Sequence, residues 1–136
     1  MSTLGGCACG DIRYEFSAEP VASLNCHCRD CQRATGSAFA ALLFVPKAAF
    51  RLSKGEPRFH SVTGDSGNLV NRGFCPNCGS PVVSYTAGHP EFVAINVASL
   101  DDPSVFRPAR NTWISSAQPW DRIDSSLPQF TKGAGR

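Results

Sequence analysis

Seven cysteines in three tight groups constrain this 136-residue chain more than any other feature. Cys7 and Cys9 form C-x-C, Cys26, Cys28 and Cys31 form C-x-C-x-x-C, and Cys75 and Cys78 form C-x-x-C. A disulfide between cysteines two apart would be badly strained, whereas these spacings let several sulfurs converge on one ion. An odd count also argues against a complete disulfide framework, and no basic segment followed by an apolar stretch opens the chain. The pattern predicts a reduced, metal-binding protein of the cytoplasm.

The outer pairs suit a closed site. Phe74-Cys75-Pro76-Asn77-Cys78-Gly79-Ser80 has the form of a zinc knuckle, a turn whose backbone amides point at the thiolates and whose Gly79 is free to take a positive φ. Cys7 and Cys9 lie among glycines that permit tight approach. Together Cys7, Cys9, Cys75 and Cys78 make a four-thiolate tetrahedron for a structural zinc, clamping the N-terminal segment to the middle of the chain. Iron in a rubredoxin-like site suits the same donors.

Cys26, Cys28 and Cys31 are only three. Their spacing is too compact for one strand and fits a loop entering a helical turn. Structural zinc sites take four protein ligands, while catalytic ones keep a position for water or substrate. The trio therefore reads as an open catalytic site, unless His27, His60 or His89 closes it. His27, between two ligands, is expected to point away. Three thiolates more than neutralise a zinc dication, so this metal would be a weak Lewis acid, better suited to holding a thiol. Arg29 and Arg33 beside the cluster are candidates for forked contacts to substrate carboxylates, with surface ion pairing to Asp30 as the alternative. Asp101 and Asp102 read more readily as helix caps than as a general acid or base.

Composition excludes several classes. At 42% hydrophobic and 18% charged, the chain is not of disordered type. Its longest apolar run, Ala38 to Pro46, is far short of the roughly 20 residues that span a bilayer, so no membrane partner is expected. A net charge of +2 with dispersed Lys and Arg does not mark a nucleic-acid surface. Short strands dominate: Asp11–Phe16 alternates apolar and polar residues, and Phe39–Val45 reads as a strand buried on both faces. Segments at 50–52, 58–62, 69–74, 82–85 and 92–97 complete the set. The best helix is Arg29–Thr35, closed by Gly36. Phe39, Phe44, Phe50, Phe59, Phe74 and Phe92 follow the apolar strand positions and are expected in the core. The expected fold is a single, mainly β, mostly antiparallel domain over residues 1–136, with the tail 124–136 loosely ordered.

The whole constellation resembles the glutathione-dependent formaldehyde-activating enzyme family, which also includes centromere protein V. The resemblance is carried by Gly6-Cys7-Ala8-Cys9-Gly10, by Cys26-His27-Cys28-Arg29-Asp30-Cys31-Gln32-Arg33 with Gly36, and by the Phe74–Ser80 knuckle. Ala98-Ser99-Leu100-Asp101-Asp102-Pro103 and the Trp113 to Trp120 segment extend it over about residues 4–123. It implies small antiparallel sheets assembled around zinc, a β-tent of zinc-ribbon type. It also implies a structural zinc on Cys7, Cys9, Cys75 and Cys78, and a labile catalytic zinc on Cys26, Cys28 and Cys31. The implied activity is that of a carbon–sulfur lyase, the reversible condensation of glutathione with formaldehyde to S-hydroxymethylglutathione. A non-catalytic zinc module for protein contacts, or less readily nucleic-acid contacts, is the alternative.

Overall fold

In a computed structural model, which describes residues 2–133, ten strands and one α-helix form a mainly β protein. The strands are β1 (Thr3–Gly6), β2 (Arg13–Phe16), β3 (Ala22–Cys26), β4 (Ala40–Pro46), β5 (Phe50–Lys54), β6 (Arg58–Thr63), β7 (Leu69–Phe74), β8 (Pro81–Thr86), β9 (Phe92–Asn96) and β10 (Arg110–Thr112). The helix α1 spans Arg29–Thr35. One sheet has three strands in the order β1-β2-β5, and the other has seven in the order β10-β3-β4-β9-β8-β7-β6. Every pairing is antiparallel except β10 with β3.

Side-chain alternation assigns the faces. In β2, Tyr14 and Phe16 turn inward while Arg13 and Glu15 are only half-buried, as the sequence pattern predicts. Tyr14 and Phe16 join Ile12 in packing toward Leu43, Val45, Val93, Ile95, Val82 and Val83 on the back of the larger sheet. The continuous apolar run of β4 has a different cause from the one expected. Leu43 and Val45 enter this core, but Ala40, Leu42 and Phe44 on the other face line a cavity. Of the phenylalanines expected in the core, Phe50 packs against it, Phe44, Phe74 and Phe92 line that cavity instead, and Phe59 is exposed.

Residues 128–132 of the C-terminal segment expected to trail loosely are hydrogen-bonded to Asn111–Ser115. The Asn111 amide donates to the Pro128 carbonyl and the Phe130 amide to that of Asn111, both at 2.9 Å. Further along, Trp113 donates to Lys132 and Ser115 to Thr131. Backbone pairing holds this segment where hydrophobic periodicity gives no signal. Residues 134–136 of that expectation lie outside the described residues. Among the described residues, no helix is long and apolar enough to cross a membrane.

The smaller sheet is tied to the 97–101 segment. Asp101 donates its amide to the Leu4 carbonyl and pairs through its carboxylate with Arg13, while Tyr14 Oη lies 2.5 Å from Ser99 Oγ. Asp102 instead caps the 3-10 turn Pro103–Val105 by accepting from the Ser104 amide. Gly5 sits where a Cβ would lie 2.4 Å from Tyr14 Oη and 2.6 Å from the Ser99 carbonyl. Gly5→Ala should therefore cost about 2 kcal/mol in urea unfolding, because the backbone contact cannot yield. Burial pushes the Tyr14 hydroxyl up to about 12. Below the ordinary value near 10 both states are protonated and stability is intact; above it the unfolded chain ionises first. Stability should thus fall by about 2 kcal/mol between pH 10 and 12, and Tyr14→Phe should reduce that loss, as read from urea midpoints across this range.

Candidate functional site

Two hairpin turns, one from each sheet, bring the outer cysteines together. Cys7 and Cys9 lie in the β1–β2 turn, and Cys75 and Cys78 in the β7–β8 turn. The four sulfurs lie within 4.8 Å of one another. The Cys7–Cys9 and Cys9–Cys75 sulfur separations are 3.6 and 3.8 Å. A tetrahedron with zinc–sulfur arms of about 2.3 Å has edges of about 3.8 Å, so the residues fit a metal ion. N–H donors converge on the sulfurs: Ile12 on Cys7 at 3.2 Å, Asn77 and Cys78 on Cys75 at 3.4 Å, and Asn77 Nδ2 on Cys9 at 3.3 Å. Such donors favour thiolates and orient them. The Ser80 hydroxyl and amide hold Cys78 down at about 5. Gly79 takes φ +78°, the left-handed turn the knuckle requires.

The second cluster forms where β3 passes into α1. Cys26 ends the strand, Cys28 caps the helix by accepting from the Cys31 amide at 3.2 Å, and Cys31 lies in the first turn. Gly36, at φ +69°, ends the helix by donating to the Gln32 carbonyl. The three sulfurs lie within 4.8 Å of one another, and among the described residues no histidine or carboxylate joins them. All three residues are buried, with exposures of 8%, 7% and 5%. Without a cation such a trio cannot ionise fully. Hydrogen bonds from the Cys28 and Cys31 thiols draw Cys26 down to about 3, and the bond each makes to Cys26, together with burial, pushes Cys28 and Cys31 up. A bound cation would remove this conflict, so the donor set fits a metal here as well. The Arg72 guanidinium supplies one positive charge, 3.6 Å from Cys31 Sγ.

The cluster opens into a cavity of about 680 Å³ on the face of the larger sheet opposite the core, a size typical of small-molecule sites. Cys26, Cys28 and Cys31 line it, and so do Asp30, His60, Arg72, His89, Arg110 and Trp113. His60 and His89 thus share the cavity without joining the three sulfurs. His27 points away, as expected for a residue between two ligands. Its Nε2 lies 3.3 Å from Asp121 Oδ2 and its Nδ1 3.2 Å from the Thr112 carbonyl. Gln32, buried beside it, donates from Nε2 to the carbonyls of His27 at 2.7 Å and Ser116 at 2.9 Å, fixing the cysteine loop to the C-terminal segment.

Arg29 and Arg33 are not part of the cavity. Positions 29, 32 and 33 share the opposite side of α1, and both arginines line a shallow groove with Gln118 and Trp120. Arg72 and Arg110 take their place as cavity cations. Sequence reasoning passed over these two because neither lies near a cysteine in sequence. The signal that finds Arg72 is register, since β7 pairs it with Ser84 of β8, which pairs with Ala94 of β9 on the same face. Trp113, which packs on the three-cysteine cluster, adopts φ +58°, a left-handed conformation rare for a bulky residue.

The glutathione-dependent formaldehyde-activating enzyme family matches residues 2–116 of this chain. The chain belongs to that family. Family membership connects it with glutathione and formaldehyde chemistry. The fold is similar to that of a Rhodobacter sphaeroides protein of known crystal structure, with 20% identity, a TM-score of 0.60, and coverage of 93% of this chain and 98% of the other. No curated protein matches the sequence significantly.

The two clusters should separate in metal analysis. With both loaded, the protein should carry two zinc ions, and Cys78→Ser and Cys28→Ser should each remove one. Only Cys78→Ser should markedly lower the unfolding temperature, because the four-sulfur site joins two sheets.

Proposed function

We propose that this chain is a zinc-dependent carbon–sulfur lyase that reversibly joins glutathione to formaldehyde as S-hydroxymethylglutathione. The observation that carries the reading is a trio of convergent buried cysteines, with no fourth protein donor among the described residues, opening into a cavity of small-molecule size. In this reading Cys7, Cys9, Cys75 and Cys78 hold a structural zinc, and Cys26, Cys28 and Cys31 a catalytic, more labile one. When bound there, zinc supplies a position at which a thiol is favoured as thiolate.

The chain's own residues do the rest. The β3–α1 junction fixes three donors on one side, so a thiol approaches from the cavity. Arg72 offers a forked contact to a carboxylate of glutathione, and Asp30 faces the same space as a partner for its ammonium group. Apolar walls exclude water and hold the two reactants together, which converts a bimolecular encounter into a positioned one. In the forward direction the thiol S–H adds across the carbonyl: one C–S bond forms, the C=O π bond opens, and the proton lost from sulfur is balanced by one gained at oxygen. Nothing is oxidised or reduced. Free thiols in this number suit a reducing compartment, and we assign the protein to the cytoplasm on that basis.

The groove that holds Arg29, Arg33 and the 67% exposed Trp120 favours protein contacts as a second reading. Exchange spectroscopy of ¹³C-formaldehyde with glutathione separates the two. The zinc-loaded protein should accelerate interconversion well above the spontaneous rate. Cys28→Ser should lose at least a hundredfold of that acceleration. Arg72→Gln should lose about tenfold, with glutathione KM raised. A rate equal to that without protein would leave the module reading in place.

A further inference from the structure

The cavity wall has two chemically different halves, and the three-cysteine cluster lies where they meet. Strand register alone assigns them. Across β3, β4 and β9, the cavity-facing row includes Leu24, Leu42, Phe44, Ala94 and Phe92, with Asn96 the polar exception on these strands and Arg110 of β10 bounding the row beside Leu24. Across β8, β7 and β6 the wall continues with the polar Ser84, Thr86, Arg72 and His60, interrupted by Val70 and Phe74 of β7. Cys26 pairs with Ala40 at the head of the apolar half. Arg72 reaches Cys31 from the polar half. A molecule held at the sulfurs therefore meets Arg72 on one side and Leu24, Leu42 and Phe44 on the other, with Arg110 at the outer edge of that apolar patch.

Glutathione supplies the charged partner for the polar half. Placing its carboxylates or ammonium against Leu42 and Phe44 would strip them of water without compensation. Formaldehyde carries no substituent to cover that surface. We propose that this chain, besides formaldehyde, takes as carbonyl substrate an aldehyde with an apolar side chain of several carbons, seated over Leu24, Leu42 and Phe44. This deepens the preceding reading and rests on its carbon–sulfur chemistry. The thiol adds to the aldehyde carbon, the C=O π bond opens, and the hydrogen lost from sulfur is matched by one at the new hydroxyl, with no change of oxidation level overall. The apolar half takes no part in bond making; it selects the aldehyde.

Stable thioethers mimic such adducts and permit a binding test. Calorimetric titration of the zinc-loaded protein with S-methyl-, S-butyl- and S-hexylglutathione should show affinity rising along the series. Each fully buried methylene is worth about fourfold, so the hexyl compound should bind at least tenfold tighter than the methyl compound. Phe44→Ser should narrow that difference to under threefold. Straight-chain alcohols from ethanol to hexanol, which carry no glutathione, form the second arm. Chain-length dependence in both series supports the inference. Dependence among the alcohols with no response to any glutathione conjugate would uphold the apolar half and overturn the glutathione reading. Equal affinity for methyl and hexyl conjugates, with no trend among the alcohols, would overturn the inference and leave formaldehyde as the one carbonyl substrate.

Discussion

Four sulfur atoms from two hairpin turns lie within 4.8 Å of one another, and the placement of the remaining structure follows from where those turns meet. One turn belongs to the three-stranded sheet and the other to the seven-stranded sheet, so the cluster joins the two layers at the edge of the shared core. Cys75 is fully buried there, while Cys9 and Cys78 are exposed. A chain of this length buries limited apolar surface, and an ion held by four thiolates would add cross-linking that packing supplies only weakly. With one face of the larger sheet committed to this core, its other face is left free for a cavity.

The second cluster depends on a different balance. Three buried thiols at one point repel one another's ionised forms, and the chain meets this with one strongly acidic thiol, two suppressed ones and a guanidinium at the edge. Gln32 and the His27–Asp121 contact brace the loop from behind, which leaves the cavity side of the sulfurs clear. Closure on one side and access on the other are what distinguish this trio from the four-sulfur clamp.

Much of this was legible in the chain itself. The cysteine spacings placed every sulfur in its group, because ligand spacing is a local property of turns. Helix α1 was legible for a similar reason, with a polar first turn and Gly36 at its end. The cavity was not. An apolar run such as Ala40–Pro46 reads the same whether both faces are packed or one faces a ligand space, so Phe44 and Phe92 were assigned to the core. Arg29 and Arg33 were singled out for nearness in sequence, yet helical periodicity turns them to the far side of α1. Arg72 lies 41 residues from Cys31 and meets it only through sheet register. The pairing of residues 128–130 with Asn111 is a backbone matter that side-chain patterns do not report.

The central claim is that the three-cysteine cluster is an open, thiol-accepting metal site beside a closed one. The visible spectrum of the cobalt-substituted protein, titrated with glutathione, tests it most directly, since cobalt reports coordination where zinc is silent. The account predicts two cobalt centres, of which one changes saturably with glutathione and the other does not. Two centres that both ignore the thiol, or a single centre, would contradict it.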